Sequence, residues 1–425
     1  MIVRNARVVS HDGVFVGDVA VEGGRFGKLT PPAPLSVPER GEPEGTQFPR
    51  TRGSIATLDG ERSGSELPPL RAGEGGGGGE VPNASQLTLL PGFLDIHIHG
   101  GGGFDTMDAT PDALRTICRT HARSGTTGML LTTMTQSREK ITAALAAARQ
   151  AYDAGAAFCP DGARVLGIHL EGPYISAKRP GAQPKEFVRP YDAAEFADWL
   201  DVAGDALKLI TLAPEEPGAD ELMRVCRERG IVVSFGHTDA TADQTRAALD
   251  IAGHAHATHL FNAMPSLHHR NPGVIGVALT DERMRCEVIA DGHHVAPEIA
   301  RLTLAAKGDS AMILITDAMA GAGAPDGTYD LGGHAVTVAD GRALLADGTL
   351  AGSVLTMAQA ARNVREWTGA VWETLARLSS TNAADALGLA KKGRIAPGAE
   401  ADFVLVDDAL TVRATYIGGR CVFRM

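Results

Sequence analysis

The sequence predicts an α/β protein: a (β/α)8 barrel of the TIM type, with a small β-sandwich domain built from both chain ends. Three observations carry this expectation. Short apolar strands alternate with amphipathic helices from residue 91 onward, eight such strands can be counted, and both termini consist of short strands punctuated by glycine turns. Strand–helix alternation makes neighbouring strands parallel, and eight of them suit a closed barrel of ordinary size. A doubly wound open sheet is the alternative.

Residues 1–30 alternate apolar and polar positions, as in "RNARVVS" and "GVFVGDVAVEGGRF", and form the N-terminal part of the small β domain. Residues 31–82 are rich in Pro, Gly and charge and include five consecutive glycines, too little apolar surface to offset ordering entropy. This stretch is expected to be a disordered insertion. Its glycines lack the strand-before, helix-after setting of a phosphate loop. Residues 83–390 are expected to make the barrel, with strands in "GFLDIHIH", "TTGMLLTT", "ARVLGIHLEG", "ALKLITLAP", "IVVSFGHT", "AHATHLF", "RCEVIADGHH" and "AMILITDA". Helices fall on "TPDALRTICRTHARSG", with Thr110 as N-cap and Pro111 at the first helical position, and on "SREKITAALAAARQAYDAG", "ADELMRVCRERG", "TADQTRAALDIAG" and "APEIARLTLAAKG". A β excursion follows the last strand, residues 354–389 read as helical, and residues 391–425 return to short strands that complete the small β domain.

Composition narrows the function. The chain has 425 residues, 44% hydrophobic and 21% charged, and a formal net charge of −11, which argues against a nucleic-acid partner. Cys118, Cys159, Cys226, Cys286 and Cys421 show no CxxC spacing, the pattern of reduced thiols rather than a disulfide framework. No signal pattern opens the sequence and no segment is apolar enough for a membrane span, so a cytoplasmic protein is expected.

Chemistry-bearing residues fall at one kind of place. His97 and His99 end the first strand, Glu171 the third, His237 the fifth, His259 the sixth and Asp317 the eighth. The C-terminal strand ends of a barrel share one mouth, where residues distant in sequence converge. The i, i+2 spacing of His97 and His99 sends both rings to one face of their strand. One strand-end histidine is usually a hydrogen-bonded core residue. Six such groups at one mouth form a nitrogen-rich set suited to Zn²⁺ or Fe²⁺ and ill suited to Ca²⁺ or Mg²⁺. His169 shares the face of Glu171 and is expected to support the ligands rather than bind an ion. His254, His256, His268 and His269 are read as structural.

Together "PGFLDIHIHGGGG", "HLEGPY", "GHTDA", "THLFNAMP", "ADGHH" and "TDAMAG" resemble the N-acetylglucosamine-6-phosphate deacetylase family of the amidohydrolase superfamily. The likeness runs from residue 91 to the C-terminus and includes the N-terminal strands. It implies metal-dependent hydrolysis of an N-acetyl group on a phosphosugar in amino-sugar metabolism. By resemblance, Glu171, His237 and His259 hold the principal ion, while His97 and His99, with Glu171 bridging and Asp317 contributing, hold a second. One or two divalent ions are therefore expected. Asp317 is implied as the catalytic acid/base. Asn262, Ala263, Arg270 and His294 match sugar and phosphate contacts, and the phosphate pocket implies a homodimer.

One position departs from the family pattern: Gln183, in "RPGAQPKEF", stands where a carbonyl-polarising histidine is usual. Glutamine donates a hydrogen bond but carries no charge, so it polarises less. Rival readings are a deacetylase of N-acetylgalactosamine 6-phosphate, and an amidohydrolase acting on another amide. A non-catalytic scaffold would be expected to have lost ligands that this chain keeps.

Overall fold

The computed structural model describes residues 1–10, 12–30 and 84–425; the expected insertion at 31–82 lies outside the described residues. Eight parallel strands, Phe93–Ile98, Thr126–Thr132, Arg164–Glu171, Leu207–Leu212, Val232–Phe235, Ala255–Ala257, Met284–Ile289 and Met312–Ile315, lie side by side in chain order. They are the eight read from the sequence. Nearly every residue in them is buried, because helices cover one face and the barrel interior the other. The circle closes where the first and last strands meet: the N–H of Asp317 donates to the His97 carbonyl and that of His99 to the Ala318 carbonyl, each at 2.9 Å.

Local chemistry starts the helices. The Thr110 side chain caps Pro111–Ala122, Ser137 caps Arg138–Ala154, and Thr241 forms a capping box with Gln244 at the start of Ala242–Ala252. Two helices were not legible as such in the sequence. Ala193–Ala203, capped by Asp192, buries Phe196, Trp199, Leu200 and Ala203 at helical spacing. Gly273–Thr280 is almost uniformly apolar and buried, so no polar face betrays its period.

Strands from both chain ends form a separate mixed sheet, in the order 420–424, 412–417, 403–406, 88–91, 2–10, 13–22, 25–30. The sheet curls so that its edge strand 25–30 meets the segment leading into the inner strand 403–406: Arg25 bridges to Glu400, and the Phe26 N–H donates to the Ala399 carbonyl at 2.9 Å. Within the curl, Val8, Val19, Phe26 and Leu89 pack with Phe403 and Tyr416, whose rings stack at 4.4 Å. Strand Thr88–Pro91 leads directly from this sheet into the first barrel strand. At the opposite, C-terminal mouth, the antiparallel strands Gly327–Leu331, His334–Ala339 and Arg342–Leu344 stand beside the opening. No helix among the described residues is long and apolar enough to cross a membrane.

Candidate active site

The barrel brings the six strand-end residues together around one carboxylate. Glu171 Oε1 lies 3.2 Å from His237 Nε2, 3.3 Å from His259 Nε2 and 3.4 Å from His97 Nε2; its Oε2 lies 3.2 Å from His99 Nε2. Asp317 Oδ1 lies 3.2 Å from His99 Nε2 and 3.4 Å from His97 Nε2. His97 and His99 face each other at 3.3 Å between ring nitrogens, and His237 and His259 at 3.1 Å. Two buried triads thus share Glu171: His97–His99–Glu171 and Glu171–His237–His259.

Three of these residues sit just past the end of a strand in the left-handed backbone region: His237 at φ 48°, His259 at φ 31° and Asp317 at φ 50°. That region is sparsely populated by non-glycine residues and is typical of constrained functional positions. Flanking glycines make room. A side chain at Gly172, which has φ 67°, would meet Thr135 Oγ1 at 2.1 Å, and one at Gly236 would meet Thr258 at 2.6 Å.

The electrostatics are those of a cation site. Burial opposes charge on His97 and His99, yet Glu171 and Asp317 outweigh it, lifting His97 well above 6.5 and His99 to about 9. Burial likewise penalises the carboxylates, but His97 and its neighbours hold Glu171 well below the usual range and bring Asp317 to about 2. Burial keeps His259 below 6.5. Four inward ring nitrogens crowd around one shared carboxylate. Each triad offers two imidazole nitrogens and a carboxylate, a donor set that suits a divalent cation.

The cavity over this cluster is lined by Gln183, Asn262, Ala263, His294 and Leu331, among others. Gln183 is clamped: its Oε1 accepts from the Thr135 N–H at 2.8 Å and its Nε2 donates to Glu171 Oε2 at 2.7 Å. Asn262 spends its amide nitrogen on the carbonyls of His259 and Leu260, holding the turn that presents His259. His294 Nδ1 faces Asp291 Oδ2 at 2.7 Å, which leaves Nε2 for a ligand. Arg270 is exposed, pairs with His269 Nε2 at 2.8 Å, and stands outside the cavity lining.

Supporting residues that were not singled out in the sequence include Asp291, Asp95 and Glu287. Asp95 accepts from Thr316 Oγ1 at 2.5 Å, and burial raises its pKa to about 6. His169 lies edge-on to His97, with ring centroids 4.6 Å apart, and bonds Thr211, as befits a supporting residue. A signal for Asp95 was present: it lies two residues before His97 and shares its face.

The Amidohydrolase family matches residues 88–422 of the chain. The chain is 46% identical over 345 residues to the N-acetylglucosamine-6-phosphate deacetylase of Bacillus subtilis (strain 168), covering 81% of this chain and 87% of that protein. It is 40% identical over 333 residues to the N-acetylgalactosamine-6-phosphate deacetylase of Escherichia coli O157:H7, covering 78% and 87%. A mutant N-acetyl-D-glucosamine-6-phosphate deacetylase from Mycobacterium smegmatis, solved in complex with N-acetyl-D-glucosamine-6-phosphate, matches with a TM-score of 0.82 at 32% identity over 99% of each chain.

Proposed function

The chain belongs to the amidohydrolase family, and from that premise we propose that it hydrolyses the N-acetyl group of N-acetyl-D-glucosamine 6-phosphate, giving glucosamine 6-phosphate and acetate. The observation that carries this reading is the single carboxylate of Glu171 held within 3.4 Å of four inward imidazole nitrogens at the barrel mouth. Glu171, His237 and His259 would hold the principal divalent ion, and His97 and His99 together with Glu171 would hold a second; Zn²⁺ or Fe²⁺ would suit both. When bound, such an ion acts as a Lewis acid on the acetamide oxygen and brings the pKa of a water from about 16 towards 7.

The chain's own residues do the rest. Asp317 takes a proton from the attacking water as the new C–O bond forms. It returns that proton to the nitrogen as the C–N bond breaks, so the amine and acetic acid separate, and the acid's remaining proton passes to the amine or to solvent to leave acetate. Gln183 has one amide hydrogen committed to Glu171 and a second to offer the acetamide oxygen. Its clamp on Thr135 prevents the amide from flipping. His294, oriented by Asp291, offers Nε2 to the sugar, and Asn262 and Ala263 shape the wall beside it. Arg270 supplies the fork for the phosphate. Its exposed position outside the lining fits a homodimer in which a second copy completes the pocket. Cytoplasmic residence suits five free thiols, four of them buried.

The test is steady-state deacetylation on protein of counted metal content, with N-acetylglucosamine 6-phosphate, its galactosamine epimer and the unphosphorylated sugar as parallel substrates. Metal-dependent turnover that is fastest on the first and lost without the phosphate supports the reading. Faster turnover of the epimer reassigns the substrate, and equal turnover of the unphosphorylated sugar removes the role of Arg270.

A further inference from the structure

Beneath the cavity, the barrel interior holds a deeper pair of ionisable groups. Glu287, on the seventh barrel strand, and His256, on the sixth, are 0% and 1% exposed. His256 Nδ1 and Glu287 Oε1 are 2.8 Å apart. The other carboxylate oxygen, Oε2, faces His97 Nδ1 at 3.8 Å, and neither of these two buried atoms has a hydrogen-bond partner. A buried carboxylate is costly unless every face of it is compensated. His256 compensates one oxygen, and the ring of His97 stands over the other.

The inner nitrogens of the four imidazoles are not served alike. His237 Nδ1 faces the Arg179 carbonyl at 3.1 Å, and His99 and His259 have no partner at Nδ1. Only His97 faces a carboxylate there. An imidazole binds a cation through a lone pair, so coordination through Nε2 requires the ring proton to stay on Nδ1. A carboxylate behind Nδ1 holds that tautomer, fixes the ring plane and makes Nε2 a stronger donor.

We infer that Glu287, braced by His256, is a positioning residue for His97 and thereby sets the affinity of the ion site formed by His97, His99 and Glu171. The inference rests on the reading of that triad as a metal site. It makes the second ion depend on two residues that touch neither ion nor substrate. The site of Glu171, His237 and His259 has no such dependence, since neither Glu287 nor His256 lies behind its histidines.

The experiment is a Co²⁺ titration of metal-free full-length protein, read by visible absorption and by bound metal per subunit, for wild type, Glu287→Gln and His256→Gln. Wild type is expected to bind two ions. Glu287→Gln should keep the first at wild-type affinity and bind the second 10–100-fold more weakly, with the spectral band of the second ion shifted or lost. The unchanged first ion reports that the variant is folded. If Glu287→Gln does not fold, His256→Gln gives the same comparison from the far side of the carboxylate and should weaken only the second ion. Two ions bound at wild-type affinity in the variants overturn the inference, as does equal weakening of both ions. A wild type that binds a single ion overturns it together with the two-ion reading, an outcome distinct from the other two.

Discussion

Stripping the ions and returning them separates the two halves of the site by the protons each must release. In the metal-free protein, burial opposes charge on both His97 and His99. Glu171 and Asp317 nevertheless hold His97 well above 6.5 and His99 at about 9. At about pH 7.5 a group titrating near 9 is roughly 97% protonated. Both rings must lose a proton before Nε2 can bind a cation. His259 is held below 6.5 by burial and is already neutral. Filling the His97–His99–Glu171 triad should therefore expel about one proton per subunit from His99 near neutral pH, with a further contribution from His97, and its affinity should climb as pH rises towards about 9. The companion triad draws no proton from His259. Calorimetric titration in two buffers of different ionisation enthalpy counts these protons. Release of fewer than about half a proton with the second ion would refute the assignment of charge to these rings. The same shift acts on stability. The folded pKa of His99 lies above its unfolded value of 6.5, so the stabilisation is full below 6.5 and is lost as pH rises through about 9. The melting temperature of the metal-free protein should fall across that window, and that of the ion-loaded protein should not.

Asp317→Asn should lower kcat by about 10²–10⁴ while leaving the first ion bound, since proton transfer is lost and that triad does not include it; a loss under tenfold would remove it as proton carrier. Gln183→Ala removes the uncharged donor to the acetamide oxygen and should lower kcat by about 10² in steady-state assays. Unchanged kcat and KM would end that role. Arg270→Ala should raise KM for the phosphosugar by about 10–100-fold, the worth of a charge-assisted hydrogen bond, with little change in kcat. The unphosphorylated sugar serves as the control, and a kcat effect of similar size would contradict a purely phosphate-binding role.

The barrel was legible because its strands are short apolar runs separated by capped amphipathic helices, and a run such as "AMILITDA" has few other homes. The helix Gly273–Thr280 was not, because a segment buried on all sides carries no polar face to mark its period. The residues of the two triads were legible through their position at strand ends and through specific stretches such as "HLEGP". Glu287 was not. A lone carboxylate within "RCEVIA" is indistinguishable in sequence from one at a strand's solvent face, and only the closed barrel turns it towards His97 and His256. Arg270 marks the opposite limit: its motif predicted a substrate contact, while the single chain leaves it exposed beside His269.

Strand position also says less about direction than the inside–outside alternation suggests. His97 and His99 follow that alternation, because one belongs to a regular strand and the other directly follows it. His237, His259 and Asp317 lie beyond the last residue of theirs, where the period of two no longer determines which way a side chain points. Their aim comes from the left-handed turn that each residue adopts, and that turn is held by backbone bonds at the rim. The Asp317 N–H donates to the His97 carbonyl at 2.9 Å, and the Asp317 carbonyl accepts from Ser353 at 2.8 Å. The Asn262 N–H and side chain both bond the His259 carbonyl, at 3.0 and 3.1 Å. The bonds of Asp317 join parts of the chain that the sequence alone does not place together, whereas those of Asn262 form a local turn. The bond from Asp317 to His97 also helps close the barrel between its first and last strands, so the geometry that completes the fold is also the geometry that turns Asp317 towards His97 and His99.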